Sequence, residues 1–65
     1  MKILTYEVRR KKHLTLMQLQ ELTGLSKSTL NNIENELVSP TLKELELIAK
    51  ATEFTISDLY ESDYK

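Results

Sequence analysis

The shortage of turn-forming residues constrains this chain more than any other feature of its sequence. Its 65 residues include one glycine and one proline, whereas a small β-sheet needs such residues at most of its reversals. Cysteine is absent, so neither disulfides nor thiolate-bound metals can stabilise so small a domain, and apolar burial has to do so. Twelve leucines, many of them three or four positions apart, suit helices. We therefore predict a single all-α domain over residues 1–65.

Apolar spacing and capping residues predict the first three helices. Residues 2–12 form an amphipathic pattern, and His13 follows in a turn that needs a left-handed backbone. Thr15 opens the second helix with a capping box, and Gly24 ends it. Ser26 is the expected N-cap of the third helix.

Two further helices are expected in the second half of the chain. Pro40 prevents a helix from continuing into it, and Thr41 begins the fourth helix with a capping box. Thr55 or Ser57 begins a short fifth helix, and the tail from about residue 61 should fray. The buried side of the fourth helix should carry Leu42, Leu45, Ile48, Ala49 and Thr52. These elements together predict a compact five-helix bundle.

The charges are divided unequally between the two halves of the chain. Residues 1–33 carry six cations and two anions, a net charge of +4, whereas residues 34–65 carry three cations and eight anions, a net charge of −5. A domain so polarised can turn a positive face towards a polyanion although its overall net charge is −1. Arg9 and Arg10 are then candidate phosphate ligands. The alternative is that the cations from Arg9 to Lys12 only form the solvated end of the first helix, where they suit its dipole.

Residues 16–35 have the organisation of a helix-turn-helix. A short helix ends at Gly24, Leu25 and Ser26 make a tight step, and a second short helix follows over residues 27–35. The apolar residues of both segments are spaced so that the helices cross steeply around a shared small core. Such a unit holds its second helix clear of the domain, where it fits the major groove of duplex DNA, about 12 Å wide.

The outward side chains of segment 27–35 suit the reading of base edges. Lys27 can donate to guanine O6 and N7, and Ser28 can bond to either purine. Asn31 or Asn32 can pair bidentately with adenine. The alternative is an ordinary solvent-facing side of a helix that only completes the bundle. Because asparagine is a poor helix former, several asparagines on one such face favour base reading.

The sequence offers no catalytic or metal-binding pattern. The single histidine, His13, falls in a turn, and neither a glycine-rich phosphate loop nor a metal-ligand spacing is present. We therefore expect no enzyme activity, no cofactor and no metal. No apolar stretch approaches the roughly 20 residues of a membrane span, and the N-terminus does not have the pattern of a signal peptide. The expected location is the cytoplasm, in association with the nucleoid.

Several short motifs follow one another at a characteristic spacing from about Leu4 to Tyr60. The segment HLTLMQLQELTGLSKSTLNNIENELVSPTLKELELIAKATEFTISDL includes Thr23-Gly24-Leu25-Ser26, Ser39-Pro40-Thr41 and Ile56-Ser57-Asp58-Leu59. In this joint spacing the chain resembles the lambda-repressor-like Cro/C1-type, or XRE, helix-turn-helix family. The resemblance implies a five-helix bundle that binds operator DNA as a two-fold dimer and represses or activates transcription.

The resemblance also implies roles for individual residues. Arg9 and Glu34 occupy the positions of an ion pair between the first and third helices. Ser26 and Asn35, which flank the recognition helix, are implied as phosphate contacts. The positions that contact bases in the family are occupied by Lys27, Ser28 and Asn32, with Asn31 alongside.

Three features depart from the family pattern. Leu16 replaces a glutamine that contacts phosphate, so that role is not carried over. Gln20 replaces an alanine where the second and third helices approach closely, and its amide should escape to solvent. The loop after the recognition helix lacks the usual glycine and cations and exposes Leu37 and Val38. Since this loop lies near the dimer seam in the family, we expect Leu37 and Val38, together with Tyr60, to contact a second subunit or another protein.

We therefore expect a sequence-specific DNA-binding transcriptional regulator of bacterial or phage type, and a repressor in particular. It should insert helix 27–35 into the major groove of an operator. It should bind double-stranded DNA as a homodimer, formed either in solution or only on DNA. The alternative is a protein-interaction module on the same bundle, such as an antitoxin or antirepressor, with DNA binding secondary or absent. The low net charge, Leu16, Gln20 and the apolar loop support that alternative.

Overall fold

Helices make up most of the fold. The computed structural model describes all of residues 1–65. In chain order its elements are β1 (Lys2–Ile3), α1 (Thr5–Lys11), α2 (Leu16–Thr23), α3 (Lys27–Glu34), α4 (Leu42–Thr52), a 3-10 helix (Ile56–Leu59) and β2 (Tyr60–Glu61). The predicted helical class is confirmed, but the prediction of five α-helices is wrong. In place of the predicted fifth helix is a single 3-10 turn, because the chain becomes extended immediately after it, with φ −153° at Tyr60.

The two ends of the chain pair with each other as short antiparallel strands. Ile3 of β1 lies opposite Tyr60 of β2, and Ile3 is buried in the core. The first helix therefore begins at Thr5, and the predicted start at residue 2 is wrong. The last paired residue is Glu61 of β2, and fraying of the tail beyond it stays a prediction. The pattern of apolar residues near the N-terminus is helical, but pairing with a distant segment prevails over it.

Side-chain caps set the boundaries of the other helices, as predicted. Thr15 Oγ1 accepts the Gln18 N–H at 3.1 Å, and Gln18 Oε1 accepts the Thr15 N–H at 2.8 Å. Thr41 and Glu44 exchange the same two bonds at the start of α4, at 3.0 and 2.8 Å. Gly24 ends α2 in the left-handed conformation, with φ 78°.

One apolar core holds the elements together. Every element except β2 contributes a buried apolar side chain to this core: Ile3, Val8, Leu19, Leu30, Ile33, Leu45, Ile48, Ala49 and Leu59. The prediction that Leu42 is buried is wrong, since it is 75% exposed. Leu42 is the first residue of α4, where it borders an open groove instead of another helix. None of the helices has the length and apolar character needed to span a bilayer.

Candidate nucleic-acid interface

A small set of buried side chains holds α2 and α3 at their crossing. Leu19, Leu30 and Ile33 are at most 1% exposed. Thr23, the last residue of α2, donates its hydroxyl to the Leu19 carbonyl at 2.7 Å and accepts the Leu25 N–H at 3.1 Å. One buried threonine thus fixes both the last turn of α2 and the step into α3. The predicted helix-turn-helix is present in the fold.

Two side chains cap the start of α3. Ser26 Oγ accepts the Thr29 N–H at 3.0 Å and donates to Thr29 Oγ1 at 2.8 Å. Gln20 Oε1, from α2, accepts the Lys27 N–H at 2.9 Å. Gln20 was expected to send its amide into solvent, so this bond was missed. No local pattern indicates it, because the two residues meet only after α2 and α3 have crossed.

The outward face of α3 carries the polar side chains that sequence analysis singled out. Lys27, Ser28 and Asn31 are exposed, and Asn32 is half-buried. Asn35 Nδ2 donates to the Asn31 carbonyl at 2.9 Å and to Asn31 Oδ1 at 3.2 Å. The Lys27 ammonium, the Ser28 hydroxyl and the Asn32 amide have no hydrogen-bond partner in the domain. These three groups are therefore free to bind an external ligand, whereas the Asn31 amide is already engaged.

Arg9 and Glu34 form a buried, two-pronged ion pair between α1 and α3. Arg9 Nε donates to Glu34 Oε2 at 2.7 Å, and Arg9 Nη2 donates to Glu34 Oε1 at 3.1 Å. Arg9 Nη1 donates to the Leu14 carbonyl at 2.8 Å. The two side chains are only 11% and 6% exposed. These bonds use three of the five guanidinium N–H donors and leave one on Nη1 and one on Nη2. The phosphate contact expected of Arg9 stays a prediction, with fewer free donors than Arg10 offers.

The other expected phosphate ligands differ in how free their donors are. Arg10 is exposed, and its guanidinium donates to the Tyr6 hydroxyl at 2.7 Å and lies 5.6 Å from the centre of the Tyr6 ring. This contact orients Arg10 and leaves several of its N–H groups free. Ser26 and Asn35 use their side-chain donors within α3.

An open hollow of about 740 Å³ lies beside the start of α3. Its lining comes from the end of α1, the turn after it, and the first residues of α2 and α3: Arg9, Arg10, His13, Leu14, Thr15, Leu16, Met17 and Lys27. His13 holds the turn in the left-handed conformation, φ 56°, as predicted. Because Arg10 and Lys27 both border the hollow, its rim is positively charged.

An exposed apolar surface begins in the loop after α3. It consists of five side chains between 48% and 97% exposed: Met1, Leu37, Val38, Leu42 and Tyr64. Two neighbouring hollows that share Met1 and Pro40 connect these residues, and Tyr60, half-buried, lines one of them. Leu37, Val38 and Tyr60 are predicted contacts. Met1 and Leu42 were not predicted, because only the pairing of the chain ends and the position of α4 bring them beside the loop.

Glu36 fixes the position of this loop. Its backbone is left-handed, φ 55°, and its carboxylate accepts the Ile3 N–H at 3.1 Å. The bond occupies a backbone donor on the free edge of β1 that would otherwise be available to another strand. No three histidine, cysteine, aspartate or glutamate side chains lie close enough together to hold a metal ion.

Comparisons with known proteins agree with this geometry. A family model described as helix-turn-helix matches residues 6–59. The solution structure of the N-terminal DNA-binding domain of SinR, the master biofilm regulator of Bacillus subtilis, is similar, with a TM-score of 0.76 and 26% sequence identity. The similarity covers 94% of this chain and 90% of that one. No curated protein sequence matches the chain significantly.

Proposed function

The chain belongs to the Cro/C1-type (XRE) helix-turn-helix family of DNA-binding regulators, and we propose that it is a sequence-specific operator-binding protein that acts as a repressor. One observation carries the proposal. Three polar side chains without partners, those of Lys27, Ser28 and Asn32, project from a helix that Gly24 and Thr23 hold at the edge of the domain. Donors and acceptors free on one helix face are what base reading in a major groove requires.

Each of these side chains suits a particular base edge. The Lys27 ammonium can donate to O6 and N7 of guanine. The Asn32 amide keeps both its donor and its acceptor, so it can pair with N6 and N7 of adenine. Asn31 is the weaker candidate for adenine because its Oδ1 accepts from Asn35. Ser28 can bond to either purine.

Phosphate contacts would fix α3 in the groove. Arg10 is the principal candidate, since it borders the hollow beside α3 and is oriented by Tyr6. Ser26 and Asn35, at the two ends of α3, would each exchange an internal hydrogen bond for one to phosphate. Because these contacts release counterions, binding should weaken steeply as the salt concentration rises.

We propose that the operator is bound by two copies of the chain. The apolar surface supplies the contact, with Leu37 and Val38 in the loop that follows α3 and Tyr60 at its border. Two copies related by a two-fold axis would place their α3 helices in successive major grooves, about 34 Å apart. The operator would then consist of two inverted half-sites.

A second candidate function is supported by the same apolar surface. A protein that lays apolar side chains on Leu37 and Leu42, which are 71% and 75% exposed, would make this domain the antitoxin or antirepressor member of a pair. This function and operator binding are compatible, because the apolar surface and the outward face of α3 use different residues.

Selection from a random duplex DNA library tests the proposal. Wild-type protein should enrich a motif with two-fold symmetry at near-physiological salt, and a Lys27→Ala/Asn32→Ala variant should not. Lys43→Ala is the matched control, because Lys43 is an exposed lysine of α4, and it should enrich the wild-type motif. A folded wild-type protein that enriches no motif would refute operator binding and favour the protein partner.

A further inference from the structure

The first turn of α3 has three backbone N–H groups that no carbonyl of the helix can accept, those of Lys27, Ser28 and Thr29. The first intrahelical bond runs from the Leu30 N–H to the Ser26 carbonyl at 3.0 Å. Ser26 Oγ takes the Thr29 N–H, and Gln20 Oε1 takes the Lys27 N–H. Of the two side-chain caps, only that of Gln20 comes from another helix.

The Gln20 bond acts on Lys27, the residue proposed to read guanine. Only the oxygen of an amide can accept a hydrogen bond from a backbone N–H, so the bond also fixes the orientation of the Gln20 side chain. It joins the middle of α2 directly to the Lys27 backbone, which is the point from which the Lys27 side chain reaches outward. A side chain that contacts a base edge must be held within about 0.5 Å of its binding position. Hydrogen bonds from neighbouring residues supply that restraint.

We propose that Gln20 is a positioning residue for base reading: its amide holds the Lys27 backbone and thereby sets how α3 presents Lys27 and Ser28 to DNA. This inference rests on the proposed function. Its role is distinct from base reading, because its Oε1 accepts the Lys27 N–H inside the domain.

Three variants separate positioning from general stability. Gln20→Ala removes the cap of α3, Gln20→Glu keeps an accepting oxygen at the same reach, and Gln18→Ala is the matched control. Gln18 lies on the same helix and also accepts a backbone N–H, that of Thr15 at 2.8 Å, but its bond caps α2 instead of α3. The readouts are hydrogen exchange of the Lys27 amide by NMR and the ratio of affinities for the selected operator and a scrambled duplex.

Gln20→Ala should speed exchange of the Lys27 amide by about fivefold, the factor expected from one lost hydrogen bond. It should lower the affinity ratio by about fivefold as the Lys27 contact is misplaced. Gln18→Ala should leave both quantities unchanged. Gln20→Glu should keep the Lys27 amide protected and weaken binding to both duplexes equally, because it adds a negative charge near phosphate.

The two measurements test different parts of the proposal. Unchanged Lys27 exchange in Gln20→Ala would overturn the bond itself. Faster exchange with an unchanged affinity ratio would overturn the positioning role. If Gln18→Ala lowers the affinity ratio as much as Gln20→Ala does, Gln20 only stabilises the fold in general. A folded wild-type protein that binds both duplexes alike would overturn the proposed function as well, while its Lys27 exchange would still measure the bond.

Discussion

Arg9 carries a charge that is buried in the domain and balanced by a single carboxylate, that of Glu34. Glu34 is 6% exposed in its side chain, so removing Arg9 would leave a buried, unpaired negative charge. We expect Arg9→Ala to lower the free energy of unfolding by about 3 kcal/mol, measured by urea denaturation at neutral pH.

A double substitution provides the control for this ion pair. Arg9→Met/Glu34→Leu removes both charges at similar volume and should recover most of the stability that Arg9→Ala loses. If Arg9→Ala unfolds at the wild-type urea concentration, the ion pair contributes nothing to stability despite its burial.

The two neighbouring asparagines of α3 offer a second prediction at this scale. Asn32→Ala should cost about 1–3 kcal/mol of binding free energy on the selected operator and little on a scrambled duplex. Asn31→Ala should cost less, because the Asn31 amide is engaged by Asn35. Fluorescence anisotropy titrations of wild type and the two variants with both duplexes measure both costs. Equal losses on operator and scrambled DNA would mean that Asn32 does not read a base.

Among the elements, the 3-10 helix is closed by a pH-sensitive capping box. The Thr55 backbone N–H, and then the Thr55 hydroxyl, hold the pKa of the Asp58 carboxyl below its ordinary value. A folded-state pKa below the unfolded one means that the carboxylate stabilises the fold above the unfolded pKa and that this contribution is lost as the pH falls through the folded one.

Asp58→Asn isolates this contribution, because asparagine keeps an accepting oxygen but does not titrate. We expect the wild type to melt at a higher temperature than Asp58→Asn near neutral pH. The difference should start to shrink as the pH falls below about 4, the ordinary pKa of an aspartate, and disappear only below the lowered pKa of the folded state. Thermal unfolding of both proteins across this range measures the difference. A difference that stays constant with pH would show that the Asp58 charge does not stabilise the turn.

Elements with local signals could be predicted from the sequence, and elements made by distant contacts could not. Thr15 and Gly24 mark the ends of α2 within a few residues of themselves, so both boundaries follow from short-range chemistry. The pairing of β1 with β2 joins opposite ends of the chain. Leu42 lies on the apolar side of α4, but this side extends beyond the core at the start of the helix. Local periodicity therefore misassigned the N-terminus, the last helix and Leu42.

The same distinction applies to the candidate site. The outward residues of α3 follow from helical spacing, and all of them were identified. The capture of the Lys27 N–H by Gln20, and of the Ile3 N–H by Glu36, depends on how separate segments lie against one another. The Arg9–Glu34 ion pair follows from the family resemblance, whereas the bond from Arg9 to the Leu14 carbonyl depends on the fold.

At the scale of the whole molecule, the apolar surface should link two copies on DNA. Leu37→Ser should weaken binding to an operator with two half-sites by about tenfold, the cost of losing one buried apolar side chain at an interface. Binding to a single half-site should not change. Leu22→Ser is the control, because Leu22 is 58% exposed on α2 and lies outside the apolar surface. Equal losses on both duplexes would mean that Leu37 contacts DNA or supports the fold.

Operator reading by this domain requires that α3 lies in the major groove and that Lys27 reads a guanine there. Replacing that guanine of the selected operator with 7-deazaguanine removes N7 from the major groove and leaves base pairing intact. Measuring the affinities of wild type and Lys27→Ala for both duplexes gives a complete cycle. We predict that wild type loses affinity on the modified duplex and that Lys27→Ala binds both duplexes equally. If both proteins lose affinity by the same factor at every guanine tested, Lys27 does not read a guanine in the major groove.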